Sequence, residues 1–189
     1  FPSLKIDIEM YSAVKQHLLS FGFDRLKQTG DVGSRKKSNN KWFETQDSIG
    51  YWEDFSKQKI IWIELADKGR FAIDISDKYL TLNGTFIMTG NDLEFICAVL
   101  NNPITSWHFN TFCISSGVGT NQWRELYVRN LLIPNIPIES QINIVRLIKD
   151  INDLEIKKKD YKNEIDRVNM LIYNLFELNN EEISFIQLQ

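Results

Sequence analysis

Cysteine and histidine are scarce in this chain, two of each among 189 residues. Cys97 and Cys113 lack the short spacing of a metal site and stand in apolar surroundings, so they read as free buried thiols of a cytosolic protein. His17 and His108 have no partner at metal-ligand spacing, which leaves them as surface or half-buried side chains. No apolar run reaches the ~18 residues of a membrane-spanning helix. A basic-then-apolar leader is missing, and the chain opens on Phe1 rather than Met, which suggests a piece of a longer protein. Positive charge is also short, with 22 Lys and Arg against 25 Asp and Glu, a net of −3. That balance argues against a protein that grips nucleic-acid phosphates over its whole surface. Hydrophobic residues make up 43% of the chain and aromatics 12%, enough for a packed core and too much for global disorder.

Charge is nonetheless unevenly placed. Arg35-Lys36-Lys37 and Lys41 cluster with no acid between Asp31 and Glu44, whereas Glu177, Glu181 and Glu182 make the end acidic. Ile8, Tyr11, Val14, Leu18 and Phe21 recur at helical spacing and predict an amphipathic helix over residues 7–21. The stretch from Lys27 to Asn40 has no apolar period and should add little to a core. It is either a mobile solvent loop or a surface for phosphates and base edges.

From Lys59 onward the pattern changes to short strands. Lys59-Ile60-Ile61-Trp62-Ile63-Glu64, Arg70-Phe71-Ala72-Ile73-Asp74 and Phe86-Ile87-Met88-Thr89-Gly90 are β-branched and aromatic runs. Asp67-Lys68-Gly69, Ser76-Asp77-Lys78 and Asn83-Gly84 separate them, which predicts a meander. Trp42-Phe43-Glu44 begins a possible further strand. Asp92 suits the N-cap of a helix over Leu93–Leu100, Pro103 the first turn of a second through Phe109, and Tyr127–Leu131 one helical turn before Pro134 and Pro137. Beyond these prolines, Ile142, Val145, Ile148, Ile151 and Leu154 line one helix. Tyr161, Ile165, Val168, Ile172 and Leu175 step by four and three as in a coiled-coil seam. The run Lys157-Lys158-Lys159-Asp160 between them is a hairpin turn or part of one continuous helix; the stripes are short for lone helices, which favours an antiparallel pair. Asn179-Asn180 caps a last turn. The expected fold is α+β, a mixed body over residues 1–137 and a helical region over 138–189.

The order of these phrases resembles one family. Trp42-Phe43-Glu44, Lys59-Ile60-Ile61-Trp62, Phe86 to Gly90, Leu100-Asn101-Asn102, Ile133-Pro134 and the tail Ile165-Asp166-Arg167, Tyr173-Asn174-Leu175 and Glu181-Glu182-Ile183 are similar to the TaqI-like C-terminal specificity domain of adenine-specific DNA methyltransferases and type IIG restriction–modification enzymes. The resemblance implies target recognition without chemistry, in a bacterial or archaeal cytoplasm, with double-stranded DNA and the methyltransferase domain of the same parent chain as partners and no membrane. S-adenosylmethionine and magnesium would belong to the parent enzyme, and no cofactor to this piece. Asn102-Pro103-Ile104-Thr105 begins like the Asn-Pro-Pro-Tyr motif of those methyltransferases and departs at its third residue. Glu64, Asp67 and Lys68 stand in the wrong order for a nuclease set, and loop salt bridges explain them better. The close variant is the specificity part of a nuclease-free phage-defence methyltransferase. The alternative from another class is a protein-interaction module built on the helix pair.

Reading DNA needs donors and acceptors matched to base edges, and cations for the backbone. Three sets qualify. Arg35, Lys36, Lys37, Asn39, Asn40 and Lys41 form the first, with Trp42 as a stacking residue or a half-buried strand aromatic. Lys68 and Arg70 form the second, Arg70 being equally well a plain surface residue. Asn121, Gln122, Trp123 and Arg124 form the third, after Gly117 and Gly119, which permit close approach to a phosphate. A recognition domain should present Arg35, Lys36, Lys37 and Lys41 on one concave face with Arg70 and Arg124.

Overall fold

The computed structural model describes residues 5–47, 50–75, 79–115, 117 and 119–189. It is a mixed α+β fold, in two compact units, Phe1–Trp52 and Glu53–Gln189. The units part between Trp52 and Glu53, not near Pro137 where the hydrophobic period changes. The reason lies in the core: helices after Pro137 share one apolar cluster with helices before it.

In the first unit a 3₁₀ turn at Ile8–Met10 precedes helix α1 (Ser12–Leu19), and a short helix α2 (Phe23–Leu26) follows Gly22. The expected single helix over 7–21 is broken at Tyr11, whose backbone (φ −125°, ψ 62°) leaves the helical region. Ile8 is buried in the turn, but Tyr11, Val14 and Phe21 are each about half exposed. The stripe is therefore present in sequence and only partly used. Trp42-Phe43-Glu44 is a turn rather than a strand: the Glu44 N–H donates to the Lys41 carbonyl at 2.9 Å, and the Lys41 N–H donates to the Glu44 carboxylate at 2.7 Å.

The second unit is built on a three-stranded antiparallel sheet. Strand β1 (Lys59–Ile63) lies in the middle, with β3 (Phe71–Asp74) and β4 (Thr85–Met88) on either side. This differs from the simple meander that the sequence pattern predicts: both later strands pair with β1, and β2 (Leu65–Ala66) leaves the sheet to pair elsewhere. The Ser76-Asp77-Lys78 break lies outside the described residues. Ile60 and Trp62 point inward. Register sets Trp62 opposite both Phe71 and Phe86, with the Phe86 ring stacked at 5.4 Å and the Phe71 ring tilted at 5.7 Å. Burying each such ring contributes about 1.5–3 kcal/mol.

Helix α3 (Leu93–Asn101) is the centre of the unit. Leu93, Cys97 and Leu100 pack on the sheet, while Phe95, Ala98 and Val99 pack on the helices that follow Pro137. Asp92 holds the N-cap position in a left-handed backbone (φ 54°), not the extended one usual for a capping residue, and makes no cap bond. Asn101 closes the outer edge of β3, its side chain accepting from the Phe71 N–H at 3.0 Å and donating to the Phe71 carbonyl at 2.7 Å. Asn102, fully buried, accepts from the Ile104 N–H and so caps α4 (Pro103–Asn110), with Pro103 in the first turn. Asn-Pro here is a helix start, a structural reason for its departure from a catalytic motif.

Strand β5 (Asn121–Gln122) pairs with β2, and a short helix α5 (Glu125–Val128) begins two residues before the expected turn. Helices α6 (Ile138–Ile156) and α7 (Lys162–Leu175) form the expected hairpin, turned at residues 157–161. Its contact face is rotated from the expected one: Gln141, Ile144 and Leu147 are buried while Ile142 is 58% exposed. Contact with both α3 and α7 draws in a wide arc rather than one narrow stripe. Asn179 caps α8 (Asn180–Gln187) in a reciprocal box with Glu182. Among the described residues no helix is long and apolar enough to cross a membrane.

Candidate nucleic-acid interface

In the first unit the loop after α2 is stitched by polar side chains, not by an apolar core. Buried Gln28 donates to the carbonyls of Lys41 and Glu44 at 2.9 and 2.8 Å and accepts from the Ser38 hydroxyl. Arg35, expected as a base reader, spends its guanidinium on three backbone carbonyls: Leu26 at 2.8 Å, Glu44 at 3.0 Å, and Trp42. Asn40 likewise donates to the carbonyls of Thr45 and Gln46. Both side chains hold the loop's shape, a correction to their expected role at base edges. What the loop presents outward is Lys36, Lys37, Asn39 and Lys41. Lys36 forms an exposed pair with Asp47 at 3.3 Å, and the Lys41 ammonium stands 5.6 Å from the Phe43 ring centroid. Trp42 is half-buried, edge-on to Phe23 and Phe43, so a packing role answers for it.

In the second unit the β2–β5 ladder joins the other two sets. Leu65 faces Gln122 and Ala66 faces Asn121, so the Asp67-Lys68-Gly69-Arg70 turn and the segment 119–124 meet at one short ladder. Their common support is Trp123. It is 1% exposed, stacks on Phe109 at 3.7 Å with a 6° interplanar angle, and meets Phe71 edge-on. Its indole N–H donates to the Ala66 carbonyl at 3.3 Å, and its own carbonyl accepts from the Trp62 indole at 2.8 Å. A buried indole cannot touch a duplex; the expectation that Trp123 binds DNA is corrected to one of support. Gly69 is part of the same fit, because a β-carbon there would stand 2.8 Å from the Phe71 ring and 3.0 Å from the Trp123 ring.

The exposed groups above this support are Lys68, Arg70 and Arg124, beside half-buried Asn121 and Gln122. Arg124 donates through Nε to Glu64 at 2.8 Å, and Arg70 donates to Asp67 at 3.0 Å. The loop salt bridges expected around Glu64 and Asp67 are thus present. The Lys68 backbone N–H and then the Arg70 guanidinium hold the Asp67 carboxyl below its ordinary value. Asn121 donates to the Asn110 side chain at 2.7 Å. Gly117 and Gly119 adopt φ of 82° and 80°, and open space surrounds both.

Among the described residues no group of three His, Cys, Asp or Glu side chains gathers as a metal site would require. Burial pushes the Cys97 thiol up to about 12 and raises that of Cys113, so neither is a ready thiolate near neutral pH. His108 is half-buried, edge-on to Phe112. An open groove of about 480 Å³ runs between α6 and α7, floored by Leu147, Leu171 and Met170 and edged by Arg146 and Arg167. No protein-family model matches the chain, and a search of the curated proteins returns no match.

Some contributions were invisible in the sequence. Gln28 and Asn101 act through backbone groups brought close only by folding, and no local pattern marks them. The support role of Trp123, one residue beyond β5, is set by its stack on Phe109, which no local pattern marks.

Proposed function

We propose that this chain recognises a base sequence in double-stranded DNA, as the specificity domain of an adenine-specific DNA methyltransferase of type IIG restriction–modification enzymes or of a nuclease-free phage-defence relative. One observation carries the reading most. The β2–β5 ladder draws together two segments, distant in sequence, that hold Lys68, Arg70, Asn121, Gln122 and Arg124. Arg, Asn and Gln are the residue types that pair with guanine and adenine edges, and a rigid aromatic base below them limits the entropy lost on binding. In the first unit Lys36, Lys37 and Lys41 are exposed and suited to phosphates. Chemistry and S-adenosylmethionine would then belong to a methyltransferase domain of the same parent chain, with any magnesium for cleavage also held there. The groove between α6 and α7 favours a second reading, in which the hairpin docks a partner helix.

The two readings separate in a selection from a fully randomised duplex pool with the 189-residue chain. A DNA reader enriches a short motif over successive rounds, and each change within that motif weakens binding by about 1–3 kcal/mol. A protein-docking module enriches nothing, and that result would sink the proposal.

A further inference from the structure

The surface that carries Arg70 and Arg124 also carries two carboxylates, an unexpected choice for a face meant to approach phosphates. Both sit in ion pairs open to solvent: Glu64 with Arg124 at 29% and 55% exposure, Asp67 with Arg70 at 57% and 61%. Ion pairs of this kind add little to folding stability. Their geometry is more informative. Glu64 takes the Nε side of Arg124, and among the described residues no other acceptor is bonded to that guanidinium. The terminal pair of nitrogens is left to form two parallel hydrogen bonds, the arrangement that reads O6 and N7 of guanine. Asp67 holds Arg70 differently, through the terminal nitrogen Nη2, so it orients that guanidinium while engaging one of its terminal pair.

Both acidic residues are themselves held, Glu64 by its backbone. The Glu64 backbone N–H donates to the Gly84 carbonyl at 2.9 Å, and its carbonyl accepts from the Trp123 N–H at 2.6 Å. The Lys68 backbone N–H, beside the Asp67 carboxyl, is the largest of the influences that keep it below its ordinary value and so in its charged form. Lys68, Arg70 and Arg124 against Glu64 and Asp67 give this surface a net charge of only +1. Such a surface gains little from phosphates alone.

We propose that Glu64 and Asp67 are specificity-determining positioning residues: each fixes the orientation of one arginine, and together they weaken binding to duplexes that offer phosphates but the wrong bases. The inference rests on the DNA-reading function proposed above.

The test compares the wild-type chain with Glu64→Gln, Asp67→Asn and the double variant on two probes. One is the fully randomised duplex, the other the duplex that the wild-type chain enriches from it. Each lost charge should tighten binding to the randomised duplex by about fivefold, the effect of one unit charge near 4 Å in water. The ratio of affinities for the enriched and randomised duplexes should fall about tenfold or more in the double variant, as an arginine loses its fixed orientation. The thermal midpoint should stay where it was, and Asp67→Glu should restore part of the ratio. If the double variant keeps the wild-type ratio, whatever its affinity for the randomised duplex, the carboxylates do not orient the arginines and the proposal is overturned. If the wild-type chain enriches no sequence, the DNA-reading function fails in that arm alone, and this inference falls with it.

Discussion

Replacing Lys59 by Met is expected to destabilise the second unit by about 3–5 kcal/mol, because it removes the buried ammonium that faces the Asp74 carboxylate. The two residues are directly opposite in the β1–β3 register, their side chains are 0% and 2% exposed, and the ammonium lies 2.6 Å from the carboxylate. The ammonium also donates to the Phe55 carbonyl at 2.8 Å, and the carboxylate accepts from the Tyr79 N–H at 3.1 Å. These added bonds tie Phe55, before β1, and Tyr79, between β3 and β4, to one ion pair. A loss of that size is a large share of the ~5–15 kcal/mol that holds a typical domain. Urea unfolding followed by far-ultraviolet circular dichroism measures it. The double variant Lys59→Met with Asp74→Leu should recover much of the loss, since an apolar pair of similar volume removes both buried charges together. A single variant within about 1 kcal/mol of wild type would show that the pair is not the keystone described.

The second large effect is expected at Trp123. Trp123→Ala removes a fully buried indole that stacks on Phe109, bonds Ala66 and backs Gly69, and should destabilise by about 3–5 kcal/mol. The cavity would open beneath both candidate loops at once, so duplex affinity and thermal midpoint should fall together. Trp123→Phe, which keeps the stack and loses the hydrogen bond, should lie between. Loss of duplex affinity at unchanged midpoint would mean that the indole meets DNA directly, contrary to its burial.

Much of the fold was legible because it rests on period and caps. The strands at 59–64, 70–74 and 86–90, the helices on either side of Pro103, the hairpin at 157–160 and the Asn179 cap follow from spacing of two or of three and four, with Pro and Asn at the joins. What escaped was what only three-dimensional neighbours decide. Nothing local sends β2 away from the sheet to β5, or makes Lys59 and Asp74 partners fifteen residues apart. Arg35 and Asn40 have side chains that suit base edges, yet carbonyls in a loop without an apolar core needed the same donors. The approach of the turn that holds Lys68 and Arg70 to Asn121 and Gln122 was likewise set by the ladder, and no sequence period predicts a two-residue strand.

The central claim is that this chain binds duplex DNA through the cations it presents, and the salt dependence of that binding tests it most directly. With a mixed-sequence duplex, log K for the 189-residue chain should fall linearly with log salt, at about 0.9 for each phosphate neutralised. Charge reversal at exposed Lys36 and Lys37 should flatten the slope by about one unit for each phosphate no longer neutralised, with the thermal midpoint unchanged. An affinity indifferent to salt, or a slope that the reversals leave as it was, would contradict the account.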